Sequence, residues 1–106
     1  MKKKKKQFVP TFRKAKLPKK DEQFAVVQEM SGGSRLRALC EDGKIRMIRI
    51  GGKFKRRMWV REMDLILIKP WVVQAESKAD LVHRYLPTER KWILNRNIIP
   101  EEMNIW

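Results

Sequence analysis

The stretch from Arg35 to Ile50 constrains the fold more than any other, because it reads as two short strands joined by a tight turn. Leu36, Ala38 and Cys40 share one side of an alternation, and Arg35, Arg37 and Leu39 share the other. Asp42-Gly43 follows and predicts a type I′ hairpin, in which both turn residues take positive φ. Lys44 to Ile50 then returns as the partner strand, with Ile45 and Met47 on one face and Lys44 and Arg46 on the other. The alternation slips after Met47, which predicts a bulge near Ile48 or Arg49.

Three further segments have strand character. Phe24 to Met30 is apolar and β-prone, and Ser31 to Ser34 breaks it. Leu65 to Ile68 is a continuous apolar run closed by Lys69-Pro70-Trp71, and Ala79 to Tyr85 makes a fifth strand. Gly51-Gly52 opens a basic segment that suits a short helical turn, after which Met58, Trp59 and Val60 lead back to the core. Pro87-Thr88-Glu89 begins a helix with Thr88 as N-cap and Glu89 near the positive end of its dipole. Trp92 and Ile93 form its buried side; it ends near Asn97, and Pro100 prevents its continuation. Trp71 is predicted to pack between the strands and this helix. His83 and Cys40 read as structural residues.

These elements define an all-β fold. It is a five-stranded OB-type (S1-like) barrel with a short helix after the third strand and an added C-terminal helix. An SH3-like barrel is the alternative that strand count leaves open. The expected division is a flexible basic N-terminal tail at 1–20, the barrel at 21–86, and the C-terminal helix with a short tail, packed on the barrel, at 87–106.

Several function classes fall away. No apolar stretch is longer than Leu65 to Ile68, far short of the roughly 18 residues of a membrane-spanning helix. Lys2 to Lys6 has the charge of a signal n-region, but no apolar run follows it. One cysteine allows no internal disulfide and suits a reducing, cytoplasmic setting. One His and one Cys do not make a zinc site, and no phosphate-binding lysine loop or dinucleotide glycine motif is present. The carboxylates show no acid–base or metal-binding spacing. The expectation is therefore a protein with no catalytic residues, metal or cofactor.

What remains is charge. The 106 residues hold 26 Lys+Arg against 12 Asp+Glu, a net +14, which favours a polyanionic partner. Residues 1–20 carry ten bases and no acid, and residues 35–61 carry ten bases against Glu41 and Asp42. Residues 62–106, with six bases and seven acids, are near neutral. The N-terminal block holds Lys2, Lys3, Lys4, Lys5, Lys6, Arg13, Lys14 and Lys16. It is either a solvated tail or an arm that folds onto RNA, the second favoured by the stacking capacity of Phe8, Phe12 and Arg13. In the second block, Arg35, Arg37, Lys44 and Arg46 are predicted to converge on the face of strands 2 and 3, where OB barrels bind oligonucleotides. Lys53, Lys55, Arg56 and Arg57 surround Phe54 in a glycine-flanked loop suited to gripping phosphates. Phe54 either wedges against an unstacked base or folds inward; Trp59 is more a core residue than a stacking one. Arg61 lies beside the same surface or pairs with Glu62 or Asp64. Ile105 and Trp106, at the C-terminus, either dock in a partner's groove or pack on their own barrel.

Four runs together resemble a known family: Met30 to Lys44 (MSGGSRLRALCEDGK), Arg49 to Glu62 (RIGGKFKRRMWVRE), Asp64 to Trp71 (DLILIKPW) and Lys78 to Tyr85 (KADLVHRY). In this order they resemble translation initiation factor 1A of the archaeal type, a relative of bacterial initiation factor 1, over roughly residues 13 to 97. The resemblance implies a non-catalytic factor that binds the small ribosomal subunit at the A site, promotes initiator methionyl-tRNA binding and helps keep the subunits apart. It implies insertion of the loop 52–57 into ribosomal RNA, with initiator tRNA and mRNA nearby. It also implies initiation factors 1 and 5B as partners of a monomer. Three positions depart from the family pattern: Gly51 stands for proline, Met63 for glycine and Ile48 for a small residue. The competing reading is a general RNA-binding or RNA-chaperone OB protein. A nuclease and a polybasic membrane-surface protein are the weaker alternatives.

Overall fold

The computed structural model describes residues 15–32, 34–51 and 60–106. Five strands are formed: β1 (Gln23–Met30), β2 (Arg35–Cys40), β3 (Ile45–Arg49), β4 (Leu65–Pro70) and β5 (Lys78–Arg84). They close into a barrel in the order β1-β2-β3-β5-β4, with β4 returning to β1. Only the β3–β5 pair is parallel; the other four are antiparallel. This is the OB architecture. A helix α1 (Pro87–Asn95) and a 3-10 turn (Glu101–Met103) follow. The short helix expected after β3 lies outside the described residues.

Two cores explain the two kinds of strand pattern. Inside the barrel sit Ala25, Val27, Leu36, Ile48, Ile66 and Leu81, among others. A second core, Phe24, Val26, Leu65, Leu67, Tyr85, Ile93 and Met103, is where α1 and the 3-10 turn meet the outside of the barrel. β1 and β4 are buried on both faces and therefore read as continuous apolar runs; β2 has one solvated face and therefore alternates. Burial of an apolar side chain in either core contributes about 1.5–3 kcal/mol.

Ala15 is buried in the second core, and the Tyr85 hydroxyl donates to the Lys16 carbonyl. Ala15 and Lys16, inside the expected tail, therefore contact the folded part of the chain. Burial raises the Tyr85 pKa well above its usual value.

Three local expectations are corrected. At the β2–β3 turn only Gly43 takes positive φ (86°), and the Gly43 N–H donates to the Cys40 carbonyl at 2.9 Å. This is a three-residue loop ending in a glycine bulge, not a type I′ turn. Asp42 stays out of the left-handed region because its carboxylate is used locally, accepting from the Lys44 N–H at 3.1 Å. Second, β3 carries no bulge; the register shifts fall in β1 after Val27 and in the β4–β5 pair after Leu67. Third, Leu86 rather than Thr88 is the N-cap of α1, with Pro87 in the first turn. Glu89 accepts the Leu86 N–H at 2.8 Å, which satisfies one open donor beside the positive end of the dipole. The helix ends where Asn97 takes a left-handed φ of 54°.

Candidate nucleic-acid interface

Without a bulge, β3 keeps strict alternation, and this decides which cations face outward. Arg46, Ile48 and Ile50 turn inward, whereas Ile45, Met47 and Arg49 turn out or lie part-covered. Arg46, expected on the binding face, is instead buried at 4% exposure. Its Nη1 and Nη2 donate to the two Asp42 carboxylate oxygens at 3.0 and 2.9 Å, and its Nε donates to the Ala75 carbonyl at 2.7 Å. The guanidinium is tolerated inside because three acceptors match its fork. Arg46 holds the Asp42 carboxyl below the ordinary carboxylate range, and the same bond raises the Arg46 pKa. Arg46 is thus a clamp between the β2–β3 turn and the β4–β5 connection, and it is withdrawn from the outward face.

The outward surface of the β2–β3 ladder is built from cross-strand pairs: Arg35 opposite Arg49, Arg37 opposite Met47, and Leu39 opposite Ile45. Arg49, which the sequence reading missed, takes the place given to Arg46. The missed signal was parity: residue 46 has the same parity as Ile48 and Ile50, both barrel residues. Arg35 has no side-chain partner among the described residues. Arg37 pairs with Glu29 at 2.6 Å, both about half exposed, and Lys44 reaches Glu76 at 3.7 Å. Such exposed pairs contribute about 0–1 kcal/mol.

Trp71 is not between barrel and helix. It leaves the end of β4, where its Nε1 donates to Asp80 Oδ1 at 3.0 Å and the Arg49 guanidinium lies 5.7 Å from the ring centroid. The helix side is occupied by Trp106 instead. Its Nε1 donates to the Met63 carbonyl at 3.1 Å, and Arg90 sits 4.9 Å from its ring. Trp106 thus packs on its own chain, while Ile105 stays half exposed. Arg61 keeps an exposed side chain; Asp64 accepts its N–H at 2.8 Å and pairs with Arg84 rather than with the Arg61 side chain. Lys16 is exposed beside the second core. Lys2, Lys3, Lys4, Lys5, Lys6, Arg13, Lys14, Lys53, Phe54, Lys55, Arg56 and Arg57 lie outside the described residues, as does Trp59. No helix is long and apolar enough to cross a membrane, and no group of acidic, His and Cys side chains able to hold a metal is present, both among the described residues.

A closed OB barrel with an outward arginine row on β2 and β3 is an arrangement suited to nucleic-acid binding. Comparison with known proteins narrows it. Residues 12–105 match the family described as Translation initiation factor 1A / IF-1. Translation initiation factor 1A of Thermoplasma acidophilum is 46% identical over 88 residues, covering 83% of this chain and 73% of that protein. The same factor from Pyrococcus abyssi is 42% identical over 81% of this chain and 76% of its own length. That of Methanothermobacter thermautotrophicus is 46% identical over 76% and 82%. The chain belongs to the translation initiation factor 1A family.

Proposed function

We propose that this chain is a cytoplasmic translation initiation factor that binds the RNA of the small ribosomal subunit at the A site, as a monomer. In that position it promotes initiator methionyl-tRNA binding and disfavours joining of the subunits. Arg35, Arg37 and Arg49 on the ladder, with Lys44 and Arg61 beside them, contact phosphates. The segment Lys53 to Arg57 and the N-terminal lysines extend that contact toward ribosomal RNA, mRNA and tRNA. Initiation factors 1 and 5B are its protein partners, with Ile105 the C-terminal residue open to docking.

The observation that carries this reading is the outward β2–β3 ladder, whose polar members are arginines and whose other members are aliphatic or Met. A general single-strand binder of this fold relies on aromatic stacking platforms there. Arginines without aromatics suit the phosphates of structured RNA. The test is sedimentation with purified small and large subunits, with and without initiator tRNA. Selective binding to the small subunit is expected. With about 6–10 phosphates contacted, affinity should fall roughly 10³–10⁵-fold between about 50 and 200 mM salt. Equal binding to both subunits would favour the RNA-chaperone reading.

A further inference from the structure

At the end of β2 remote from Arg35, the surface turns apolar. Leu39 lies there, opposite Val26 on β1 and Ile45 on β3. Two open cavities, of about 430 and 310 Å3, adjoin along the 3-10 turn, with Leu39, Glu102 and Met103 common to both. Met63 and Ile105 border the larger one. Their side chains are 57% and 50% exposed, which is open apolar surface at the mouth of a groove. The groove is built rather than incidental. Trp106 Nε1 donates to the Met63 carbonyl at 3.1 Å, which ties the wall that carries Ile105 to the wall that carries Met63.

The charge along the groove is opposite in sign to that of the chain. Of the 26 Lys+Arg, none among the described residues lines either cavity. Four carboxylates do: Glu41, Asp42, Glu62 and Glu102. Two of these are engaged, since Glu41 accepts the Phe24 N–H at 2.8 Å and Asp42 is held by Arg46. Glu62 and Glu102 are exposed and have no side-chain partner among the described residues. A phosphate chain is therefore disfavoured here. An added β-strand is excluded as well, because β1 is paired on one edge by β2 and on the other by β4. A helix needs no sheet edge, since it satisfies its own backbone polar groups, and it can lay an apolar stripe into a groove. Methionine suits the receiving side, because its unbranched side chain adapts to what packs on it.

We infer that this groove receives a basic amphipathic helix of a partner protein. Its apolar stripe lies on Leu39, Met63 and Ile105, and its Lys or Arg side chains meet Glu62 and Glu102. The proposal does not rest on the RNA-binding reading.

The test uses the full chain with isotope-labelled methionine methyl groups, followed by NMR. The probe is a synthetic helical peptide of Leu and Lys, its Leu at i, i+3, i+4 and i+7. The Met63 and Met103 signals should shift on titration, while Met47, on the arginine ladder, stays fixed. A peptide of the same composition in scrambled order should bind at least about 10-fold more weakly. The double variant Glu62→Lys/Glu102→Lys and the single variant Ile105→Ser should each weaken binding about 5- to 10-fold. Ile105→Ser should leave unchanged the affinity for a short fluorescein-labelled RNA, read by anisotropy. No binding at about 1 mM peptide, shifts at Met47 in place of Met63, or equal binding of the scrambled peptide would overturn the proposal. So would wild-type peptide affinity in both folded variants. Met63 shifts that depend on protein concentration without peptide would overturn it in favour of a second copy of the chain. Peptide affinity that rises about 5-fold or more when Lys2 to Lys6 are replaced by Ser would overturn it in favour of the chain's own N-terminal lysines.

Discussion

Replacing Arg46 by Met separates its two possible roles, because a buried clamp and a phosphate contact fail in different assays. Met retains much of the stem volume and removes three hydrogen bonds: two to Asp42, at 3.0 and 2.9 Å, and one to the Ala75 carbonyl, at 2.7 Å. Breaking a buried ion pair by removing one partner costs about 3–5 kcal/mol. Asp42 is 36% exposed and regains water, so the lower end applies, about 3 kcal/mol. For a domain of this size that corresponds to a fall in Tm of about 12–24 °C, from about 4–8 °C per kcal/mol. Urea unfolding and calorimetry measure this. At 25 °C, with the variant still folded, the salt slope of RNA binding should not change. Arg35→Met gives the mirror image. Its stability should stay within about 0.5 kcal/mol, while the salt slope falls by about 0.7–0.9. An Arg46→Met variant that loses under about 1 kcal/mol and reduces the salt slope like Arg35→Met would falsify the clamp.

Three further perturbations probe the backbone and the acid limb of stability. Gly43→Ala should cost about 1–2 kcal/mol through φ alone, since a Cβ there meets nothing within 4 Å; a neutral result in urea unfolding would mean the turn relaxes freely. Met63 holds a left-handed φ of 72° and is more than half exposed, so Met63→Gly should be neutral or stabilise by up to about 1 kcal/mol, with Tm as the readout. Asp42 has a depressed pKa in the folded state, so its contribution is present above the unfolded value of about 3.9 and is lost as pH falls through the folded value. Asp42→Asn should therefore be less stable near neutrality and should lose that part of the acid dependence; parallel stability–pH curves would refute the linkage.

Strand positions were legible because burial left its period in the residues. β2 alternates since one face is solvated, and Leu65 to Ile68 runs unbroken since the barrel core and the α1 core flank β4. The face of β3 was misread because Ile45 and Met47 are apolar and Arg46 is charged. Composition pointed outward for Arg46, whereas parity with Ile48 and Ile50 pointed inward. Parity won because Asp42 and Ala75 supply acceptors, and Ala75 lies 29 residues away, beyond any local pattern. The Trp71–Asp80–Arg49 group was hidden for the same reason. It exists only once β3 pairs with β5 in parallel and sets Arg49 beside Asp80. The family's glycine before Asp64 has a physical basis visible here: residue 63 sits at a left-handed φ. Ile48 is accommodated where a small residue is common, with Ala79 as its small neighbour on β5.

The partners of the outward cations bear on how the face would meet RNA. Of the described cations in the second basic block, Arg46 is internal, Arg37, Lys44 and Arg49 are matched by Glu29, Glu76 and Asp80, and Arg35 and Arg61 have no side-chain partner among the described residues. The field over the barrel is therefore smaller than the count of bases suggests, and it is held in defined places. A paired arginine has already lost part of its rotamer freedom, so transfer to a phosphate costs less ordering than for a free lysine. The pairs themselves are exposed and contribute about 0–1 kcal/mol each, so giving them up costs little. Carboxylates on this face both reduce its field and hold the arginines in place. Glu29→Gln would then have two opposing effects on Arg37, a looser side chain and a freer charge, whereas Arg37→Ala has only loss.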